Sequence, residues 1–301
     1  MNFTGVMPAM TTAFDASLNV DYPFVARHAQ WLIENGCSAI ICLGSLGEST
    51  TLRFDEKIAI LKTVVAALDG KAPVVAAISA LSTAESVALA QAAHAAGCAG
   101  LMILPPYVYK GDWRENKAHV AAILKATPLP GMLYNNPVAY GTDFIPEQIA
   151  ELTSENKNLV AVKESSTDVR RVTAIRSLIG DRLALFVGVD DAIVEGISAG
   201  ATGWIAGLVN AFPEESVALF DLAMASRSKE TFELYRWFLP LLRLDTLPKF
   251  VQMIKLAEQR AGVGKATVRP PRRELEGAEL AELTALIDDA IKHRPSLAGM
   301  R

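Results

Sequence analysis

Short runs of apolar, often β-branched residues alternate along the chain with longer stretches whose apolar positions recur at helical spacing. The short runs lie at 5–10, 38–42, 74–78, 100–104, 131–135, 159–163, 183–187 and 203–206. They are apolar on both faces, as strands buried in a parallel sheet are. Between them the spacing predicts helices of about 10–16 residues, at 22–35, 55–68, 83–96, 113–126, 146–152 and 169–179. Asn35-Gly36, Asp69-Gly70, Ala96-Gly97 and Ile179-Gly180 read as glycine C-caps, and Ser82-Thr83 with Glu85 as a helix start. Strand–helix alternation implies a parallel sheet, and eight such units of about 28 residues suit a closed barrel better than an open doubly wound sheet, the alternative.

The expected fold is therefore α/β: a (β/α)8 TIM barrel over 1–225 with a C-terminal helical extension over 226–301. From Lys229 to His293 the pattern is helical without a strand, interrupted at 262–273 around Pro270-Pro271. It reads as about three helices that cover the barrel's flank or make an oligomer contact.

Composition narrows the function classes. The 301 residues are 51% hydrophobic and 21% charged, which supplies a large core and argues against disorder. A net charge of −4 gives no basic stripe for nucleic acid or an anionic membrane. Cys37, Cys42 and Cys98 form no CxxC pair, and His28, His94, His119 and His293 form no HxH or HxxxH pair, so neither a disulfide framework nor a zinc or His-based metal centre is expected. The opening MNFTGVMPAM lacks the basic and apolar regions of a signal peptide, and no stretch approaches a membrane span. These features point to the cytoplasm.

Barrels carry chemistry at the C-terminal ends of their strands and in the loops that follow. Lys163 ends the sixth apolar run. A desolvated lysine there loses its charge readily and, as a neutral amine, forms a Schiff base with a carbonyl; the other reading is a strand cap paired with a carboxylate. Gly44-Ser45-Leu46-Gly47-Glu48-Ser49 follows the second strand. Its glycines and successive N–H groups suit a carboxylate or phosphate, or else simply a tight turn and helix cap, with Glu48 structural. Tyr134 ends the fifth strand, where its hydroxyl can move protons or rest satisfied in the core. Pro105-Pro106-Tyr107-Val108-Tyr109 forms a stiff aromatic loop after strand four, and Asp190-Asp191 after strand seven reads as a cap for the next helix. An amine, a phenol, a hydroxyl and an anion nest on one rim suit a 2-oxo acid. A phosphate-handling barrel is disfavoured by Asp190-Asp191 at the usual phosphate position, and a non-catalytic binding protein by the joint presence of Lys163 and Tyr134.

The sequence resembles the dihydrodipicolinate synthase/N-acetylneuraminate lyase family of lysine Schiff-base enzymes. The matching pieces are Gly5-Val6-Met7-Pro8-Ala9, Thr12-Ala13-Phe14, Gly44 to Ser49, Pro105-Pro106-Tyr107, Tyr134-Asn135-Asn136-Pro137, Val162-Lys163-Glu164, Gly188-Val189-Asp190-Asp191 and Gly200-Ala201-Thr202-Gly203. The resemblance implies a homotetrameric barrel with Lys163 as imine former, Tyr134 as proton shuttle, Ser45 as the third catalytic residue and the Ser45–Leu46 backbone as carboxylate site, without metal or organic cofactor. It implies a substrate pocket lined by Gly44, Leu46, Tyr107, Tyr109, Tyr140 and Ile205.

Three departures count against dihydrodipicolinate synthesis. Leu46 stands where the synthase has a second threonine, the 138–141 loop has no arginine, and Val108 stands at the tyrosine contributed by a neighbour, with Tyr109 beside it as a substitute. The runs 106–110, 136–141 and 164–171 resemble a subgroup acting as 1-pyrroline-4-hydroxy-2-carboxylate deaminases, which yield 2,5-dioxopentanoate and ammonia. The expected activity is thus a Schiff-base lyase, dehydratase or deaminase on a 2-oxo acid or its cyclic imine. The synthase itself, or a 2-keto-3-deoxy sugar acid or N-acetylneuraminate aldolase, is the alternative.

Overall fold

A computed structural model describes residues 3–106 and 108–298. Eight short strands alternate with helices: β1 (Gly5–Pro8), α1 (Tyr22–Glu34), β2 (Ile40–Cys42), α2 (Phe54–Leu68), β3 (Val74–Ile78), α3 (Thr83–Ala95), β4 (Gly100–Ile103), α4 (Trp113–Lys125), β5 (Gly131–Asn135), the single turn α5 (Pro137–Tyr140), α6 (Pro146–Glu155), β6 (Leu159–Glu164), α7 (Arg170–Ile179), β7 (Ala184–Val187), α8 (Ile193–Ser198), β8 (Gly203–Ala206) and α9 (Pro213–Met224). All ladders are parallel, in the order β1-β8-β7-β6-β5-β4-β3-β2. The ring closes where the chain passes Pro8: Ala9 still donates to Ala206, while Met10 donates to Ile41 of β2. That change of neighbour is why the first strand ends at Pro8 and not at residue 10, where the apolar run ends. The fold is a (β/α)8 barrel.

Every strand residue except Gly5, Val160 and Ala184 is buried, so the apolar runs are the barrel core itself. Gly36 and Gly97 follow α1 and α3 at φ +95° and +90°, the left-handed step that ends a helix and that a side chain resists. Ser82 accepts from the N–H of Glu85 and opens α3 as expected. The helix expected over 146–152 runs on to Glu155. Among the described residues no helix is long and apolar enough to cross a membrane.

Three helices follow the barrel: α10 (Ser228–Leu242), α11 (Phe250–Arg260) and α12 (Gly277–Lys292). A buried ionic network ties them to the loop after β2. Lys255 Nζ donates to Glu48 Oε1 at 2.6 Å and to the Thr267 carbonyl at 2.6 Å, and the Arg269 N–H donates to Glu48 Oε2 at 3.0 Å. The Arg269 guanidinium forks onto Glu56 at 2.9 and 3.0 Å, and the Thr11 hydroxyl donates to Glu258 at 2.7 Å. Burial pushes the Glu258 carboxyl up to about 8. Glu48 is structural, as expected, and its charge is satisfied by the extension.

Candidate active site

A cavity of about 530 Å³ opens at the C-terminal end of the strands. Gly44, Ser45, Leu46, Tyr134, Tyr140, Lys163 and Ile205 all line it. Tyr107 lies outside the described residues. Tyr109 does not line this cavity: it is 58% exposed and its hydroxyl donates to Glu115 in the first turn of α4. Glu115 also accepts from the Asp112 N–H in the cap of that helix, so the helix start holds Tyr109 outside.

Lys163 and Tyr134 are register partners on adjacent strands and so face the barrel interior side by side. The Lys163 amine sits 4.1 Å from the centroid of the Tyr134 ring and the residue is 6% exposed. Burial lowers the Lys163 pKa; the charges of Asp245, Tyr140 and Asp190 oppose this without reversing it. Among the described residues no carboxylate forms a salt bridge with the amine, and the nearest carboxylate charges acting on it are those of Asp245 and Asp190. Gly188 closes one side: a Cβ there would lie 2.0 Å from Ser165 Oγ and 2.5 Å from Lys163 Cε. Ser165 Oγ, buried near the Tyr134 phenol, meets no partner in hydrogen-bonding geometry.

Tyr140 comes from α5, which Asn136 caps by accepting from the Ala139 N–H at 2.9 Å. That turn swings the Tyr140 ring edge-on to Tyr134, with centroids 5.7 Å apart, and brings its hydroxyl into a short contact with Ser45 Oγ. Tyr134 accepts from Asn136 Nδ2 at 3.0 Å. Burial raises the pKa of both phenols, so both keep their protons. Ser45, Tyr140 and Tyr134 thus form a string of hydroxyls beside the Lys163 amine, which lies over the face of the Tyr134 ring.

The Gly44–Ser49 loop lines the cavity and carries left-handed residues within and just before it. Leu43 and Glu48 adopt φ +67° and +55°. The N–H groups of Ser45 and Leu46 donate to no acceptor among the described residues. Two unengaged amides in a loop that lines the same cavity as the amine suit a carboxylate.

Two features correct or exceed the sequence reading. Asp190 does not cap the helix that follows it, which has no side-chain cap. It accepts instead from Trp204 Nε1 at 3.0 Å, from the Gly207 N–H at 3.0 and 3.1 Å and from the Leu208 N–H at 2.8 Å. It thereby pins the loop after β8, and burial raises its pKa to about 6 even so. The extension also does more than cover the flank: Asp245, Leu247, Phe250 and Arg272 line the cavity. One signal was present in the sequence, an acid set among leucines at Leu244-Asp245-Thr246-Leu247. The reach of Arg272 had none.

Comparison with known proteins agrees with this geometry. Residues 2–290 match the model of the dihydrodipicolinate synthetase family. A 4-hydroxy-tetrahydrodipicolinate synthase of Geotalea uraniireducens is 31% identical over 291 residues, covering 95% of this chain and 98% of that protein. One from Staphylococcus haemolyticus is 32% identical over 279 residues, covering 92% and 93%. The crystal structure of a dihydrodipicolinate synthase from Bacillus anthracis superposes with a TM-score of 0.92 at 27% identity, over 98% of this chain and 100% of that one. A prophage protein of the family from E. coli K12, solved in complex with pyruvate, gives 0.90 at 25% identity, over 96% and 99%. By sequence along nearly its whole length and by fold, this chain belongs to the dihydrodipicolinate synthetase family of lyases.

Proposed function

We propose that the protein is a lysine Schiff-base lyase acting on a 2-oxo acid or its cyclic imine, with Lys163 as the nucleophile. The observation that carries this is a buried amine of lowered pKa, resting on a phenol ring and in no salt bridge among the described residues, in the same cavity as the Ser45–Leu46 loop. The substrate carboxylate docks on the amides of that loop. The neutral amine attacks C2, and the departing oxygen or nitrogen takes a proton supplied through Tyr134. Incubation with pyruvate and borohydride is expected to add mass to the peptide holding Lys163. Absence of an adduct, or full activity in Lys163→Ala, refutes the reading.

Within that class we read the reaction as deamination with dehydration of 1-pyrroline-4-hydroxy-2-carboxylate. Support comes from the apolar wall at Leu46 and from Tyr140, which occupies the 138–141 loop where the synthase resemblance calls for a guanidinium. Synthesis of 4-hydroxy-tetrahydrodipicolinate is the second reading. It is favoured by the names of the relatives, and by Arg272, a cation in the cavity wall that suits the carboxylate of a second substrate. Ammonia release from the hydroxypyrroline against condensation of pyruvate with aspartate semialdehyde decides between them. We further read the protein as a cytoplasmic homotetramer. The exposed Leu81, Val108 and Val138 after β3, β4 and β5 suit subunit contact, and sedimentation tests this.

A further inference from the structure

The segment joining α10 to α11 crosses the mouth of the barrel. Its 3₁₀ turn, Arg243–Thr246, puts Asp245 in the wall of the cavity that holds Lys163. Among the described residues no hydrogen bond or ion pair engages its carboxyl. Gly207 makes room for it: a Cβ there would lie 2.1 Å from Asp245 Oδ1 and 2.7 Å from Cγ. The same Gly207 donates its N–H to Asp190, so Asp190 fixes the peptide whose bare Cα leaves the slot that Asp245 fills. The titratable and charged groups around this carboxyl are Lys163, Tyr134, Asp190 and Asp191, with Arg243 3.7 Å from Asp191. Burial, then Asp190, raises the Asp245 pKa well above the usual carboxylate range, and Lys163 only partly offsets this. Burial therefore favours the protonated form of this carboxyl, which the chemistry proposed for Lys163, Tyr134 and Ser45 does not involve.

We propose that Asp245 is the general acid of the site and hands its proton to the hydroxyl that leaves C4 of the ring-opened adduct. This rests on the deamination reading. Once Lys163 holds C2 as an iminium, a C3–H bond breaks. Its proton passes through the Tyr134 hydroxyl to the amine that ring opening released, and its electron pair forms the C2–C3 enamine. The enamine returns that pair as a C3–C4 double bond, the C4–O bond breaks toward oxygen, and the oxygen takes the Asp245 proton and departs as water. The Asp245 carboxylate then accepts a proton from C5, which moves unsaturation toward C5 and readies that carbon for hydrolysis to aldehyde and ammonia. No oxidant or reductant is required.

Asp245→Asn keeps the size of the side chain and removes the proton. The wild type and this variant are compared in two assays: the borohydride-trapped pyruvate adduct on Lys163, and ammonia release from the hydroxypyrroline across pH. The variant is expected to form the adduct at close to the normal rate and to release ammonia about 100-fold more slowly or worse. The alkaline fall in rate that marks loss of the acid's proton is expected to vanish. Gly207→Ala, which pushes the carboxyl aside without altering it, is expected to show the same selective loss and serves if Asp245→Asn does not fold. Ammonia release by Asp245→Asn at nearly the wild-type rate overturns the proposal, as does a parallel loss of the adduct, which would make Asp245 a support for Lys163. A wild-type protein that traps pyruvate but releases no ammonia overturns the deamination reading and this step with it, a pattern distinct from either variant result.

Discussion

Gly188→Ala tests how closely the barrel holds its amine. The added methyl would sit 2.0 Å from Ser165 Oγ, 2.5 Å from Lys163 Cε and 2.7 Å from Lys163 Cγ. Comfortable contact for a Cβ begins near 3.4 Å, so the lysine stem must retreat by about 0.9 Å and Ser165 Oγ by about 1.4 Å, or the loop after β7 must lift by about 1.4 Å. Gly188 has no left-handed φ, so the effect is one of space and not of backbone strain. Misplacing a reacting atom by about 1 Å costs roughly 100-fold in rate, and overpacking costs about 1–3 kcal/mol of stability. Gly131→Ala is the control. Its methyl would lie 2.4 Å from Leu124 Cδ2 at the start of β5, the end of the barrel away from the cavity. Both variants are expected to lose thermal stability. Only Gly188→Ala should lose the rate of borohydride-trapped adduct formation, by about two orders of magnitude. Trapping at the wild-type rate in folded Gly188→Ala, or equal losses in both variants, would refute the claim that the Lys163 position is sterically set.

Three further outcomes are expected. Tyr140→Phe breaks the hydroxyl string between Ser45 and Tyr134, so kcat should fall about 100-fold with the pyruvate adduct retained; unchanged kcat would show that protons bypass it. Burial holds the Lys163 pKa below its unfolded value, so in the window between the two the unfolded chain binds the extra proton and stability rises with pH. Lys163→Met should therefore melt above the wild type at neutral pH, with the gap closing as pH approaches the ordinary lysine value of about 10.4; a lower midpoint at neutral pH contradicts this. Lys255→Met removes the ammonium partner of Glu48, leaving it the Arg269 N–H and Arg272 at 3.9 Å, and since the Lys255 and Glu48 side chains are 1% and 0% exposed it should cost about 3 kcal/mol in denaturant unfolding. The double variant Lys255→Met/Glu48→Gln should recover much of that loss, and no recovery would mean that Lys255 acts through packing.

The legible parts of this protein are those governed by neighbours in the chain. Runs such as Val74–Ile78 are apolar at every position because both faces are covered, and that is visible without coordinates. Gly36 and Gly97 end helices by their own conformational freedom. Lys163 stands out as an ionisable group at the end of an apolar strand, a position that by itself suits a nucleophile or a strand cap paired with a carboxylate. Strand limits are less legible: β1 stops where its hydrogen bonds pass from β8 to β2, an event set by a partner strand.

The order of residues alone specifies the barrel, the rim of its candidate site, and the amine, phenol and glycine loop upon that rim. These follow from local periodicity and from the rule that parallel barrels gather strand ends at one mouth. Which other groups meet there emerges only when the chain is folded. Asp245 and Arg272 arrive from the helical extension, Tyr140 turns inward while Tyr109 turns outward, and Asp190 serves the β8 loop and not its own helix. Each of these depends on contacts between segments far apart in the chain. Their energies reside in shared burial and in hydrogen bonds across the fold, which no local pattern encodes.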